Sequence, residues 1–152
     1  MLPSLRDGTG RVINMSSLSG LIAGPYVGPY AASKHAFESL SDSLRVELRH
    51  FGIRVSVIEP ADIATPIWQK SRELADRIRE DVVDEVSQRL PAEVQEVYRE
   101  AIVAMRAATT DFAERAIPVS HVVGAVQHAL TARRPKTRYR VGIKTWGVAF
   151  VL

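Results

Sequence analysis

The chain is 152 residues long, with 46% hydrophobic and 24% charged residues, so it has the size of one ordinary domain and a globular composition that excludes a disordered protein. It contains no cysteine, which excludes a disulfide framework, thiolate-bound zinc, an iron–sulfur cluster and a cysteine nucleophile, and suits a reducing, cytoplasmic setting. The net charge of +3 comes mainly from arginines spread over most of the chain.

Met1 to Asp7 has no apolar stretch of the kind a signal peptide needs, and the apolar ending Trp146 to Leu152 is too short to cross a bilayer. That ending stops in mid-pattern, as a truncated segment does. Arg11 to Met15 follows the turn signal Asp7-Gly8-Thr9-Gly10 and is predicted as a buried strand ending at Ser16 and Ser17. A Gly/Pro-rich loop runs from Gly20 to Pro29. A helix follows, with Pro29 in its first turn, where no amide donor is required. Its apolar stripe is Ala36, Phe37, Leu40, Leu44 and Leu48, with Glu38, Asp42, Arg45 and Arg49 facing out. Gly52 is placed as the left-handed residue after its last turn, and Ile53 to Ile58 is a second strand closed by Glu59-Pro60.

From Pro66 to about Ala108 the pattern is helical and highly charged. Leu74, Ile78, Val82, Val86 and Leu90 form one stripe. Pro91 opens a second helix, with Val94, Val97, Tyr98, Ala101, Ile102 and Met105 predicted to face inward. Ser120 is predicted to cap a third, which carries Val122, Val126, Ala129 and Leu130. A basic turn from Arg133 leads to a last strand at about Arg138 to Val141. Strands alternating with crossover helices imply an α/β fold with a parallel sheet covered on both faces. Neither a repeat nor a linker divides the chain, so residues 1–152 are read as one unit.

The chemistry-bearing residues lie in Tyr30-Ala31-Ala32-Ser33-Lys34 at the start of the first helix. A spacing of four sets Tyr30 and Lys34 on one helix face, one turn apart. A phenol is a poor base at neutral pH, and a neighbouring ammonium favours phenolate, so such a pair is a sensible acid/base unit. By itself it is a short motif that chance also supplies, the plain alternative being a core-edge tyrosine beside a solvated lysine. Tyr26, Tyr98 and Tyr139 have no lysine four residues on.

The surroundings make the pattern specific. A strand ending Asn14-Met15-Ser16-Ser17, a loop, and then Tyr-x-Ala-Ser-Lys opening a helix resemble the short-chain dehydrogenase/reductase family, and Ser17 precedes Tyr30 by thirteen residues, as is usual there. The stretch from Ile58 to Pro66 is similar to that family's Pro-Gly-x-x-x-Thr segment, and Arg138-Tyr139-Arg140-Val141-Gly142 to its seventh strand. The resemblance runs from Leu2 to about Gly142 and identifies the chain as the C-terminal, catalytic half of the family domain, without the cofactor-binding N-terminal half. It implies a partial Rossmann fold, a doubly wound parallel sheet reduced to strands five to seven with their covering helices.

The resemblance further implies hydride transfer between NAD or NADP and an alcohol or ketone. Tyr30 would be the general acid/base. Lys34 would favour its phenolate and hydrogen-bond the nicotinamide ribose. Ser17 would hold the substrate oxygen, with Ser16 and Ser19 as rivals, and Pro60, Ile63 and Thr65 would line the nicotinamide side. Ala61 stands where the family usually has glycine; a need for positive φ or close backbone approach there would cost about 1 kcal/mol. A glycine-rich phosphate loop after a first strand is missing, as is a residue to select NAD or NADP. Isolated, the chain is therefore expected neither to bind cofactor nor to turn over. The partners implied are a small alcohol or ketone, with a lean toward a lipophilic one, and a second copy in a homo-oligomer, without nucleic acid or a membrane span. The alternative reading is a catalytically silent fragment or interaction module of the same fold. The run from Arg133 to Arg140 reads first as a solvated turn, and second as a nucleic-acid or acidic-membrane patch. The four histidines show no ligand spacing, and Trp68 and Trp146 are read as packing residues.

Overall fold

The computed structural model describes residues 10–78 and 89–142. In chain order the elements are β1 (Arg11–Met15), α1 (Gly28–Glu47), β2 (Arg54–Pro60), β3 (Ile63–Ala64), α2 (Ile67–Ile78), α3 (Ala92–Glu114), β4 (Ile117–Pro118), α4 (Ser120–Thr131) and β5 (Arg138–Val141), with 3-10 turns at Leu18–Gly20 and Arg49–Phe51. Two compact units result, one from Met1–Ala61 with Val119–Leu152, the other from Asp62–Pro118.

The first unit holds a parallel sheet in the order β1-β2-β5, with Arg11 opposite Arg54 and Val57 opposite Arg138. Parallel sheets need both faces covered. Central β2 shows the result, with Val55, Ser56, Val57, Ile58 and Glu59 all buried. Neighbouring residues of β5 reveal how the cover is arranged. Arg138 meets Glu38 and Asp42 of α1, whereas the Tyr139 hydroxyl lies 2.8 Å from Nδ1 of His128 on α4. Successive strand residues point to opposite faces, so α1 and α4 cover opposite sides. The expected doubly wound parallel sheet is the observed one.

Two helix expectations are corrected. The side of α1 turned to the sheet carries Ala31, Glu38 and Ser41, all buried, while Leu40 is 52% exposed. The reason is that the sheet beneath it is polar: Asn14 donates to the Ser41 hydroxyl at 2.8 Å, and Glu38 takes a hydrogen bond from Arg138. Helix α4 begins at Ser120 itself, after Val119, and no side chain caps it. Pro29 does lie in the first turn of α1, and Gly52 is left-handed at φ 72°, although a 3-10 turn intervenes before it.

In the second unit β3 and β4 pair in parallel, Ile63 opposite Ile117, a two-residue bridge too short to leave any periodicity in the sequence. Trp68 donates its indole N–H to the Ile63 carbonyl at 2.7 Å, and Arg106 of α3 pairs with Asp76 of α2. The expected inward stripe of α3 is corrected: none of its residues is buried, and Val97, Tyr98 and Met105 are all exposed. Val82 and Val86 of the preceding stripe, together with Met1 to Asp7 and Trp146 to Leu152, lie outside the described residues.

Candidate active site

Ligands of open α/β sheets bind beyond the carboxyl ends of the strands, and there the first unit gathers its chemistry-bearing groups. Strand β1 ends at Met15, and the next two hydroxyls differ in use. Ser16 is buried and its Oγ has no hydrogen-bond partner among the described residues. Ser17 is half-buried and caps the turn Leu18–Gly20, its Oγ accepting from the Ser19 amide at 3.2 Å. An accepting hydroxyl still has its own O–H to donate.

Helix α1 opens opposite this turn. Lys34 Nζ lies 5.7 Å from the centroid of the Tyr30 ring, and it donates to the Met15 carbonyl at 3.2 Å. The lysine thus ties the first turn of α1 to the end of β1, with its charge beside the phenol. Tyr30 is 49% exposed, and no hydrogen bond engages its hydroxyl among the described residues. The two elements are close: a methyl group placed on Gly20 would lie 2.8 Å from Ser16 Oγ and 3.2 Å from the Lys34 carbonyl oxygen. Tyr26, four residues before Tyr30, has φ 64°, a left-handed conformation that a bulky residue rarely takes.

Pro60 ends β2 opposite Val141, and the Ala61 amide donates to the Val141 carbonyl at 2.8 Å. Tyr26 is the one non-glycine residue with positive φ among those described, so alanine at position 61 carries no backbone strain. Ile63 and Thr65 belong to the second unit, where both are half-buried.

A charged cluster under the site escaped the reading of the sequence. Glu59 is fully buried, with Arg138 Nη1 at 2.7 Å and Arg140 Nε at 3.4 Å, and Arg138 also pairs with Glu38 and Asp42. Burial alone would lower the pKa of Arg138, but hydrogen bonding to Glu59 and the charge of Glu38 outweigh it and raise it. Burial likewise works against the Asp42 carboxylate, yet the Arg45 hydrogen bond and the charges of Arg138 and Arg45 hold its pKa below the usual range. The available signal was an acid near the end of a strand rich in valine and isoleucine, with two arginines at alternate positions of a later one.

A family model described as short chain dehydrogenase matches residues 1–76, half of the chain. Human retinol dehydrogenase 16 is 37% identical over 144 residues, 93% of this chain and 43% of that protein. The NADPH-dependent 3-dehydrocapnine reductase of Ornithobacterium rhinotracheale is 34% identical over 135 residues, 89% of this chain and 42% of the enzyme. A short chain dehydrogenase/reductase from Burkholderia phymatum, solved in complex with NAD, superposes with a TM-score of 0.64 at 23% identity, over 96% of this chain and 47% of that one. This chain belongs to the short-chain dehydrogenase family, and it spans less than half the length of these two curated relatives.

The match also brings a correction. The chain was expected to be only the C-terminal half of the family domain, yet the matched region occupies its N-terminal half, and β1 and β2 of the parallel sheet lie there too. Both halves of a doubly wound sheet are built from the same strand–helix–strand unit, so the order of elements could not say which half was present.

Proposed function

We propose that this protein takes part in NAD(P)-dependent oxidation of an alcohol or reduction of a ketone, with Tyr30 as general acid/base. The observation that carries this reading is the Lys34 ammonium, 5.7 Å from the Tyr30 ring and anchored on the Met15 carbonyl. With that ammonium beside it, the Tyr30 hydroxyl would accept a proton from an alcohol or return one to a carbonyl oxygen. Ser17, with its O–H still able to donate, would hold that oxygen in place. When bound, the dinucleotide would supply the hydride in the reduction and accept it in the oxidation.

The described residues fit one end of such a cofactor. Tyr30 has an unengaged hydroxyl and Lys34 has used one of its three N–H donors, a complement for the paired hydroxyls of a ribose. For the diphosphate they offer no glycine turn at a helix start, since α1 opens with Gly28-Pro29 and Pro29 lacks an amide donor. We retain Pro60, Ile63 and Thr65 as residues of the nicotinamide side, on the resemblance of their segment, and residues 1–152 as one undivided part of a family domain. A lipophilic substrate is favoured by the relatives named for retinol and 3-dehydrocapnine. A homo-oligomer would use the exposed apolar side of α1 around Leu40.

The test, made on the chain joined to a dinucleotide-binding segment, is turnover with NADH and NADPH against a panel of apolar ketones, and with NAD and NADP against the matching alcohols. Tyr30→Phe should lower turnover by roughly 10²–10⁴-fold while the fold persists, and Tyr26→Phe should be mild. Near-normal turnover in folded Tyr30→Phe would remove the acid/base assignment.

A further inference from the structure

The opposite ends of the same strands carry a feature that the dehydrogenase reading does not use. Between the end of α1, the start of β2 and the turn before β5 lies an open cleft of 420 Å³ whose lining includes Arg45, Arg49, Arg54, Arg134 and Lys136. Among the described residues, no aspartate or glutamate lines it. The cations are not equivalent. Arg45 pairs with Asp42 and donates to the Val55 carbonyl, and Arg54 donates to the Arg133 carbonyl. These two, like Arg11 on the carbonyls of Ala129 and Ala132, serve to offset backbone carbonyls. That plain account does not reach Arg49, Arg134 or Lys136, whose side chains have no ion pair or hydrogen bond among the described residues.

The turn that carries Arg134 and Lys136 is held in shape from beneath. Buried Ser56 donates its hydroxyl to the Lys136 carbonyl at 2.7 Å, the Lys136 amide donates to the Tyr139 hydroxyl at 3.0 Å, and the Val57 amide donates to the Thr137 carbonyl at 2.9 Å. Holding three like charges around one cleft is unfavourable without an anion, and a fixed wall lets a ligand bind without ordering the turn first. Lysine and arginine together match a phosphate group, the arginines by paired N–H donors and the lysine as a point charge.

We propose that this cleft binds a small anion carrying a phosphate or diphosphate group. The site is separate from the one around Tyr30: Arg54 and Pro60 are the two ends of β2, which at ~3.3 Å per residue places them about 20 Å apart. It does not depend on the dehydrogenase reading.

The experiment is calorimetric titration of the full chain with sodium pyrophosphate. Saturable binding should weaken as NaCl rises from about 0.05 to about 0.5 M. Arg134→Gln and Lys136→Gln should each weaken it by about tenfold, since each removes a charge-assisted hydrogen bond. Arg133→Gln, in the same basic run but outside the lining, should leave it unchanged, as should Tyr30→Phe. All four side chains are exposed, so the variants should fold, and thermal melts are the check on that. A parallel arm with vesicles of phosphatidic acid asks where the phosphate comes from. Co-sedimentation lost in the same two variants, alongside pyrophosphate binding, supports the site with a lipid headgroup as one source. Absence of pyrophosphate binding, with or without vesicle binding, overturns the proposal. So does an equal loss in Arg133→Gln, which would mean net charge alone.

Discussion

A carboxylate removed from water persists only where cations and donors replace the lost hydration, and Glu59, fully buried, has Arg138 at 2.7 Å and Arg140 at 3.4 Å. Arg138 is the busier of the two, because it also reaches Glu38 and Asp42 on α1 and so links helix to sheet. Removing it would leave Glu59 and Glu38 buried without their common partner. Arg138→Met should therefore lower the unfolding free energy by about 3–5 kcal/mol in urea denaturation. Adding Glu59→Gln should recover part of that loss, since the uncompensated charge is then gone. A loss below about 1 kcal/mol for Arg138→Met would mean that water, and not the arginine, stabilises the cluster.

At the scale of elements, the site depends on how closely the turn Leu18–Gly20 lies on α1. A methyl group on Gly20 would sit 2.8 Å from Ser16 Oγ, 3.0 Å from Glu38 Cγ and 3.2 Å from the Lys34 carbonyl oxygen. The last neighbour is helix backbone and cannot give way, so the turn must move instead. Gly20→Ala should destabilise the fold by about 1–3 kcal/mol and displace Ser17 relative to α1. Thermal melts read the first effect. On the proposed mechanism, the second appears as reduced turnover in variant that is still folded. A Gly20→Ala protein with the parent's melting temperature would show that the two elements are free to part. Helix α1 also shows why its packed side was hidden: Glu38 and Ser41, which look like solvent residues, are buried against Asn14 and Arg138.

Over the whole molecule, burial is unequal between the two units. In the first, β2 contributes five consecutive buried residues, Val55 to Glu59. In the second, α3 runs for 23 residues without a buried one. Amides open through the cheapest local unfolding available to them, and buried contacts are what raise that cost. Hydrogen exchange should accordingly be slowest in β2, and amides in the middle of α3 should exchange at least about tenfold faster. Equal protection in both would mean that α3 gains contacts absent from its own unit.

The three strands of the parallel sheet and the start of α1 were legible in the sequence because they depend on local chemistry. Arg11–Met15 and Arg138–Val141 fall where the turn signals and apolar runs put them, Pro29 lies in the first turn of α1, and Gly52 takes its left-handed conformation. The Tyr30 and Lys34 spacing was equally readable, since a step of four along a helix fixes their separation whatever surrounds it. What the chain alone could not reveal is which side of a helix meets the sheet when the sheet is itself polar. The Glu59–Arg138–Glu38 cluster joins residues up to 100 positions apart, and no local pattern encodes such a meeting. The same holds for the division of the basic run. Arg138 and Arg140 turn inward to carboxylates because β5 places them over Glu59, whereas Arg134 and Lys136, in the turn before it, face a cleft with no acid among the described residues of its lining. Identical side chains a few residues apart thus acquire opposite surroundings, and only the tertiary structure, by bringing β2 and α1 against that segment, decides which of them is neutralised.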